Sequence, residues 1–197
     1  VTDRVKEVFQ DKFARFSFNW AATVIDSEKE RIHLKQFSTR NTAARDRLND
    51  LWQQTELDLD ADDVTTAVLV CGEAFVFVWK NEDGEIEAYY NDPRLCHVFY
   101  DEENPRRMSY AAKWWVGADK KRYLNLYYAD RIEYYASDKP SDQVSGAKSM
   151  IPAETPVAAN PFGVIPIFHF RRERRTIKSA LKDVTEPQDA VNKLFAD

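Results

Sequence analysis

The chain has 197 residues, enough for a domain that buries roughly 70% of the surface its unfolded form would expose. Its formal net charge is -5, with 33 acidic and 28 basic residues interspersed, which argues against a protein that coats nucleic acid or a membrane surface. It has no apolar run near the ~18 residues of a membrane span, and its 2 cysteines are too few for a disulfide framework.

The first third of the chain is predicted to be helical, because no Gly or Pro precedes Gly72. Apolar residues recur there every three or four positions, as in a core-facing or helix–helix stripe. The members of the stripe are Val5, Phe9, Phe13, Phe16, Trp20 and Val24. A helical pattern is already present at Val1 and another is still present at Asp197, so we expect a fragment of a longer protein.

Two shorter elements are predicted next. Residues 32–37 alternate between apolar and polar, which is typical of a short strand. Asn41 and Thr42 form a plausible helix start. The face of this second helix that is predicted to be buried carries Ala44, Leu48, Leu51 and Trp52.

A third helix is predicted before Gly72. Residues 58–63 are rich in Asp, and carboxylates favour a helix N-terminus by capping and by the macrodipole. Val64, Ala67, Val68 and Cys71 then follow at helical spacing, and Gly72 ends the pattern. Because Cys71 belongs to the apolar face, we predict that it is a small buried residue.

A β-hairpin is predicted after Gly72. Residues 74–79 are aromatic and β-branched, and residues 81–84 end in the Asp-Gly pair that tight hairpin turns prefer. Residues 86–90 alternate as a half-buried strand does, and Leu95, Val98 and Tyr100 indicate a further strand.

The second half of the chain is predicted to be mostly antiparallel. Residues 109–116, 122–128 and 131–135 have the pattern of a strand meander. Residues 137–163 contain four prolines and no period, which predicts a long loop and a candidate for disorder. Residues 164–170 return to a strand, in which Pro166 indicates an edge position or a bulge.

A final helix is predicted over residues 179–196, with a break or restart at 185–188, where the spacing is that of a capping box with Pro in the first turn. The fold class is therefore α+β, with N-terminal helices packed on a mostly antiparallel sheet and a C-terminal helix. We expect residues 1–197 to form a single domain.

Tests for chemistry along the chain favour structural roles. The aspartates at 58, 60 and 62 begin like a calcium loop, but Asp63 stands where Gly is needed and Leu69 where a bidentate Glu is needed. The three histidines, His33, His97 and His169, lack ligand spacing. Cys71 and Cys96 lie in no nucleophile motif. We predict no catalytic, metal or cofactor-binding residue.

One dense basic segment stands out near the end of the chain. Its members are Arg171, Arg172, Arg174, Arg175 and Lys178. They could bind phosphates through sequence-independent, salt-sensitive contacts. The alternative is a solvated loop or an ion-pairing face against an acidic neighbour, and no nucleic-acid-reading module accompanies the segment.

Several motifs, in order along the chain, resemble those of one family. Residues 70–75 lead from a helix through Gly into an aromatic strand, residues 83–101 carry the turn and its closing Pro and Asp pairs, and residues 127–135 end in Ile-x-Tyr-Tyr. Residues 160–170 contain Asn-x-x-Gly-x-Ile-Pro, and residues 179–192 contain Ser-x-Leu and Gln-Asp-Ala-x-Asn. In combination they resemble the SPP1-like portal proteins of tailed phages.

The resemblance implies that the intact phage or prophage protein forms a dodecameric ring at one capsid vertex, nucleates head assembly and passes DNA during packaging and ejection. Residues 1–197 would correspond mainly to the peripheral wing. The implied partners are other portal subunits, terminase, head-completion or adaptor proteins, scaffold, the major capsid protein and DNA, with no membrane. The implied locations are the virion and, during assembly, the host cytoplasm.

Two other hypotheses stay open beside this structural one. The first is a nucleic-acid-binding module that uses the basic segment from Arg171 to Arg175. The second is an enzyme that uses Cys71 or the acidic cluster. The resemblance implies no catalytic residue, since the packaging ATPase belongs to a separate terminase. Exposed aromatic side chains would then form subunit contacts in the ring.

Overall fold

A computed structural model describes residues 19–143 and 149–196. The predicted apolar stripe from Val5 to Phe16 lies outside these residues. The described helices are α1 (Trp20–Lys29), α2 (Thr42–Gln54), α3 (Leu57–Cys71) and α4 (Thr185–Ala196). The described strands are β1 (Glu73–Lys80), β2 (Ile86–Asn91), β3 (Cys96–Tyr100), β4 (Met108–Val116), β5 (Lys121–Tyr127), β6 (Arg131–Pro140), β7 (Met150–Ala159) and β8 (Ile167–Arg171).

The first two described helices start at asparagine caps. The Asn19 side chain accepts a hydrogen bond from the backbone of Ala22, and the Asn41 side chain accepts one from Ala44. Each bond satisfies one of the N–H groups that a helix start leaves without an intrahelical partner. The predicted start at Asn41 and Thr42 is confirmed.

Two predictions for this part of the chain are wrong. None of the α2 residues is buried, and Leu48 is 40% exposed, because α3 rather than α2 covers the sheet. Residues 32–37 pair with no strand. Instead, the backbone N–H of Phe37 donates to the side chain of Asn49 at 2.9 Å. Alternation alone did not specify a neighbouring strand with which this segment could pair.

The three-stranded sheet has the order β2-β1-β8, and both pairings are antiparallel. β1 is buried on both faces. Ala74 and Val76 pack against Val64 and Ala67 of α3, whereas the alternate positions enter a second core. This two-sided burial explains why residues 74–79 are apolar without a clean alternation. The predicted hairpin is confirmed, with Gly84 at φ 84° in its turn.

The second sheet is a five-stranded meander with the order β3-β4-β5-β6-β7. Its inner face packs on the three-stranded sheet around a common core. The core residues are Phe75, Phe77, Cys96, Val98, Ala111, Tyr127, Ile132 and Ile167. The predicted meander is confirmed, and β3 belongs to this sheet rather than to the hairpin sheet that precedes it.

The loop predicted over residues 137–163 is wrong for most of its length. β6 continues to Pro140, and β7 pairs with it from Met150 to Ala159. Pro152 and Pro156 are accommodated because β7 is the edge strand, where a missing N–H breaks no ladder. The register also shifts between Glu133 and Tyr135, which places Pro156 in a bulge.

The C-terminal part differs from its prediction mainly at the helix start. β8 is an edge strand, as Pro166 indicated, and the Pro166 carbonyl accepts a hydrogen bond from Val78 at 2.9 Å. Residues 180–184 form turns, so α4 begins at Thr185, at the predicted restart. The Gln188 side chain accepts a hydrogen bond from Ala21 of α1 at 2.9 Å, which ties α4 to the first turn of α1.

The described chain is therefore an α+β fold in three layers. Helices lie on one face of the three-stranded sheet, and the five-stranded sheet lies on the other. The predicted fold class is confirmed. This order leaves two large surfaces facing away from each other, which are the helical side of the three-stranded sheet and the outer face of the five-stranded sheet.

Candidate interaction surfaces

A buried network of hydrogen bonds between three side chains joins the two sheets. His169 of β8 contacts the carboxylate of Glu73 through Nε2 at 2.8 Å and the hydroxyl of Tyr100 through Nδ1 at 2.9 Å. Its ring stacks on Phe75, with a centroid distance of 4.6 Å. A neutral imidazole with its proton on Nε2 satisfies every group, since Nε2 donates to the carboxylate and Nδ1 accepts from the hydroxyl.

The hydrogen-bond network of Glu73, His169 and Tyr100 contains an acid, a base and a hydroxyl, but a substrate cannot reach the base. The His169 side chain is only 2% exposed and that of Glu73 is 11% exposed. General acid–base catalysis requires hydrogen-bond contact with the reacting group. We conclude that the three residues fasten β8 and β1 to β3. Sequence reasoning missed them because 96 residues separate Glu73 from His169.

Neither cysteine is an activated nucleophile. Cys71 is exposed at the last turn of α3, so its predicted burial is wrong; the buried residues of this helix are Val64, Ala67 and Leu69. Partial desolvation of the thiol, followed by the nearby Asp92 carboxylate, raises the pKa of Cys71. Burial raises the pKa of the Cys96 thiol to about 12. Reactive cysteines have lowered pKa values instead.

The acidic residues at 58–63 lie inside α3 rather than before it. The helix begins at Leu57 without a side-chain cap, so the capping prediction is wrong, while Asp58 and Asp60 in the first turn are placed favourably for the macrodipole. Asp60 accepts a hydrogen bond from Tyr90 of the edge strand β2 at 2.7 Å, and Asp62 pairs with Lys29. Within residues 19–143 and 149–196, no cluster of acidic residues, His or Cys has the arrangement of a metal site.

The basic segment folds back over the end of α3. Arg172 donates from its backbone to Gly72 at 3.1 Å, and Ala180 donates to Leu69 at 2.8 Å. The guanidinium of Arg171 lies 5.1 Å from the ring centroid of Tyr100. These contacts fix both ends of the segment against the fold.

Most of the other charges in this segment have partners within the chain. Arg172 is 3.5 Å from Glu28, and Lys178 is 3.3 Å from Asp183. Arg174 and Arg175 are exposed and form no ion pair with any residue in the described ranges. Phosphate binding by the five basic residues therefore stays a prediction.

An apolar groove of about 470 Å³ opens on the helical side of the three-stranded sheet. α3 covers β1 and β2 more fully than β8, so Phe168 and Phe170 of β8 form an uncovered floor. Phe168 is 57% exposed and Phe170 is 45% exposed. We use the term apolar groove for the space lined by Leu34, Phe37, Leu48, Trp52, Phe168 and Phe170.

The opposite side of the molecule is apolar as well. On β4, Ala111 and Lys113 face the core, so Trp114 and Val116 project outward and are 38% and 56% exposed. A ladder of stacked rings, Phe99 on Tyr110 and Tyr110 on Tyr128, continues this surface. The outer sheet face is defined by Phe99, Tyr110, Trp114, Val116 and Tyr128.

A family model for phage portal proteins of the SPP1 Gp6-like type matches residues 10–197. The chain belongs to this portal family. No curated protein matches it significantly. None of the helices in the described part of the chain is long and apolar enough to cross a membrane.

The structure explains the Asn-x-x-Gly segment of this portal chain. Asn160 is 7% exposed, and its side-chain nitrogen donates to the carbonyls of Tyr128 at 2.7 Å and Val164 at 2.8 Å. Its side-chain oxygen accepts from Phe162 at 3.0 Å. Gly163 follows at φ 65°, in the left-handed region. The motif thus fixes the turn from β7 into β8 against the end of β5.

Proposed function

We propose that this chain is a structural part of the portal at the capsid vertex, where subunits assemble into a ring around a channel for DNA. The observation that carries the proposal is the family match over residues 10–197. The structure adds support because the Glu73–His169 pair is a buried link between strands, whereas apolar side chains such as Phe168 and Trp114 are exposed. Exposed apolar area of this kind marks contact surfaces.

Within the ring, we assign residues 1–197 to the wing, at the periphery of the portal. The assignment rests on the resemblance of the motifs to that region. In this position the domain contributes contacts to neighbouring subunits and to scaffold or capsid proteins. Terminase and adaptor contacts, and the channel that DNA passes through, belong to other parts of the intact protein.

We further propose that the chain performs no catalysis of its own. The side chains of Glu73 and His169 in the hydrogen-bond network are inaccessible to a substrate, and the pKa values of the Cys71 and Cys96 thiols are raised. Packaging would draw its energy from a separate ATPase. Substituting Cys71 by Ser is then expected to leave portal assembly unchanged, whereas an enzyme that depends on this thiol would lose its activity.

Electron microscopy of the full-length protein tests the proposal. We expect closed rings with a central channel, viewed along the axis in negative stain. The number of subunits is read from rotational averages of these views, and twelvefold symmetry is expected. A protein that stays monomeric at every concentration, or forms open filaments, would contradict the proposal.

A further inference from the structure

Two apolar surfaces lie on opposite sides of the three-layer domain. The apolar groove is on the helical side of the three-stranded sheet, and the outer sheet face is on the far side of the five-stranded sheet. Neither is covered by the described residues, as the exposures of Phe168 and Trp114 show. The two surfaces differ in shape, since one is concave and the other is a sheet face.

A solvated antiparallel sheet face normally carries polar residues at its outward positions. Here the outward positions of β4 hold Trp114 and Val116, and those of β5 include Leu124 and Leu126, while Arg122 and Glu133 lie beside them at the margin. No helix within the described ranges packs extensively against this sheet. An apolar centre with charged groups at its margin is the composition of a protein–protein contact surface.

The size of the outer sheet face suits a stable interface. β4 is 9 residues long, so at about 3.4 Å per residue and about 4.8 Å between strands, the outer side of all five strands spans about 700 Å², and the outer sheet face is its apolar part. A standard protein interface buries about 800 Å² on each partner. One copy of the domain therefore offers enough surface for one specific contact on this side.

We propose that the outer sheet face of one subunit packs against the apolar groove of a second copy of this chain. A ring requires a head-to-tail contact between two different patches, and patches on opposite sides of the subunit allow each copy to contact two neighbours. Trp114, which is 38% exposed on β4, is the anchor that enters the groove beside Phe168. The inference rests on the proposed ring and names the surfaces through which wings contact one another.

Two charge substitutions in the full-length protein test this contact. Trp114→Glu disables the outer sheet face, and Phe168→Glu disables the groove. Both residues are partly exposed, so circular dichroism and urea unfolding are expected to show an intact fold. Leu59→Glu is the matched control, because Leu59 is 68% exposed and lines neither surface.

We expect Trp114→Glu and Phe168→Glu to abolish rings when each is assayed alone by light scattering and electron microscopy. A one-to-one mixture is expected to give dimers and no rings, because the intact sheet face of one variant meets the intact groove of the other. The Leu59→Glu control is expected to form rings as the wild type does.

Several outcomes would overturn the inference and leave the ring proposal standing. Rings formed by either variant alone would show that its surface is not a subunit contact. A mixture that stays monomeric would show that the two surfaces do not meet each other. Normal rings with lowered stability for Phe168→Glu would show that the groove is filled from within its own chain. Wild-type protein without rings would instead contradict the proposed function.

Discussion

Gly72 lies directly against the backbone of Lys178. A Cβ placed on Gly72 would be 2.7 Å from the Lys178 nitrogen and 2.8 Å from its carbonyl carbon. Gly72 also has φ 88°, a conformation that ends α3 and that side chains disfavour. One glycine thus ends a helix, starts the central strand and holds the basic segment against both.

Gly72→Ala is expected to lower the free energy of unfolding by more than about 2 kcal/mol. The left-handed backbone alone costs an alanine about 1–2 kcal/mol, and the clash with Lys178 adds displacement of the basic segment. Urea unfolding followed by circular dichroism measures the change. Gly163→Ala is the matched control, since Gly163 has φ 65° with no atom within 4 Å of its added Cβ. Equal losses for the two variants would show that the contact with Lys178 is unimportant.

Asn160→Ala is expected to destabilise the protein by about 2–4 kcal/mol. Removal of the side chain breaks three partly buried hydrogen bonds, to the carbonyls of Tyr128 and Val164 and from the N–H of Phe162, and each such bond contributes about 0.5–1.5 kcal/mol. Asn104→Ala serves as the control, because Asn104 is exposed and its side chain accepts a hydrogen bond from the backbone of Arg106 at 3.2 Å within a surface turn. Similar unfolding free energies for both variants would exclude this role for Asn160.

Alkaline pH is expected to destabilise the wild type more steeply than Cys96→Ala. Burial raises the pKa of the Cys96 thiol from an ordinary value of 9.0 to about 12. Below pH ~9 the thiol is protonated in both the folded and the unfolded protein, so its contribution to the free energy of unfolding is fully present. Above pH ~9 the unfolded protein loses this proton while the folded protein keeps it, so the free energy of unfolding falls as pH rises towards 12. The slopes of unfolding free energy between these pH values are expected to differ by up to about 1.4 kcal/mol per pH unit. Parallel slopes would contradict the burial of this thiol.

The basic segment is expected to give no DNA binding above background at physiological salt. Arg171 lies over the Tyr100 ring, and Arg172 and Lys178 have acidic partners, so in the described residues Arg174 and Arg175 are the arginines of this segment that lack such contacts. Fluorescence anisotropy of a labelled duplex across a salt series measures this binding. Replacing Arg174 and Arg175 by Glu should change nothing. A steep salt dependence that this double substitution removes would favour the nucleic-acid hypothesis instead.

His169 is expected to carry its proton on Nε2. An ionised Glu73 carboxylate can only accept, so Nε2 at 2.8 Å is the donor to it, and Nδ1 is then left to accept from the Tyr100 hydroxyl at 2.9 Å. Long-range ¹H–¹⁵N NMR spectra distinguish the two neutral tautomers directly. In Tyr100→Phe the Nδ1 resonance is expected to shift while the Nε2 proton stays in place. A proton found on Nδ1 alone would exclude this arrangement of the link between the sheets.

Local signals in the sequence identified most elements near Gly72. The Asp-Gly turn and the two runs flanking it specify the β1–β2 hairpin, because turn conformation and side-chain alternation act within a few residues. The same signals failed at β7, where Pro152 and Pro156 argue against a strand. Proline is tolerated in β7 because this strand lies at the edge of the folded sheet, a position that the sequence alone does not show.

The sequence also identified the family and the α+β class, since motif order and periodicity are properties of the chain itself. It could not identify the link from Glu73 to His169, the exposure of Cys71 or the two outward apolar surfaces. Periodicity shows that one face of an element is apolar. Whether that face is covered depends on the placement of elements distant in sequence, so only the tertiary structure decided which residues are core and which are left for a partner.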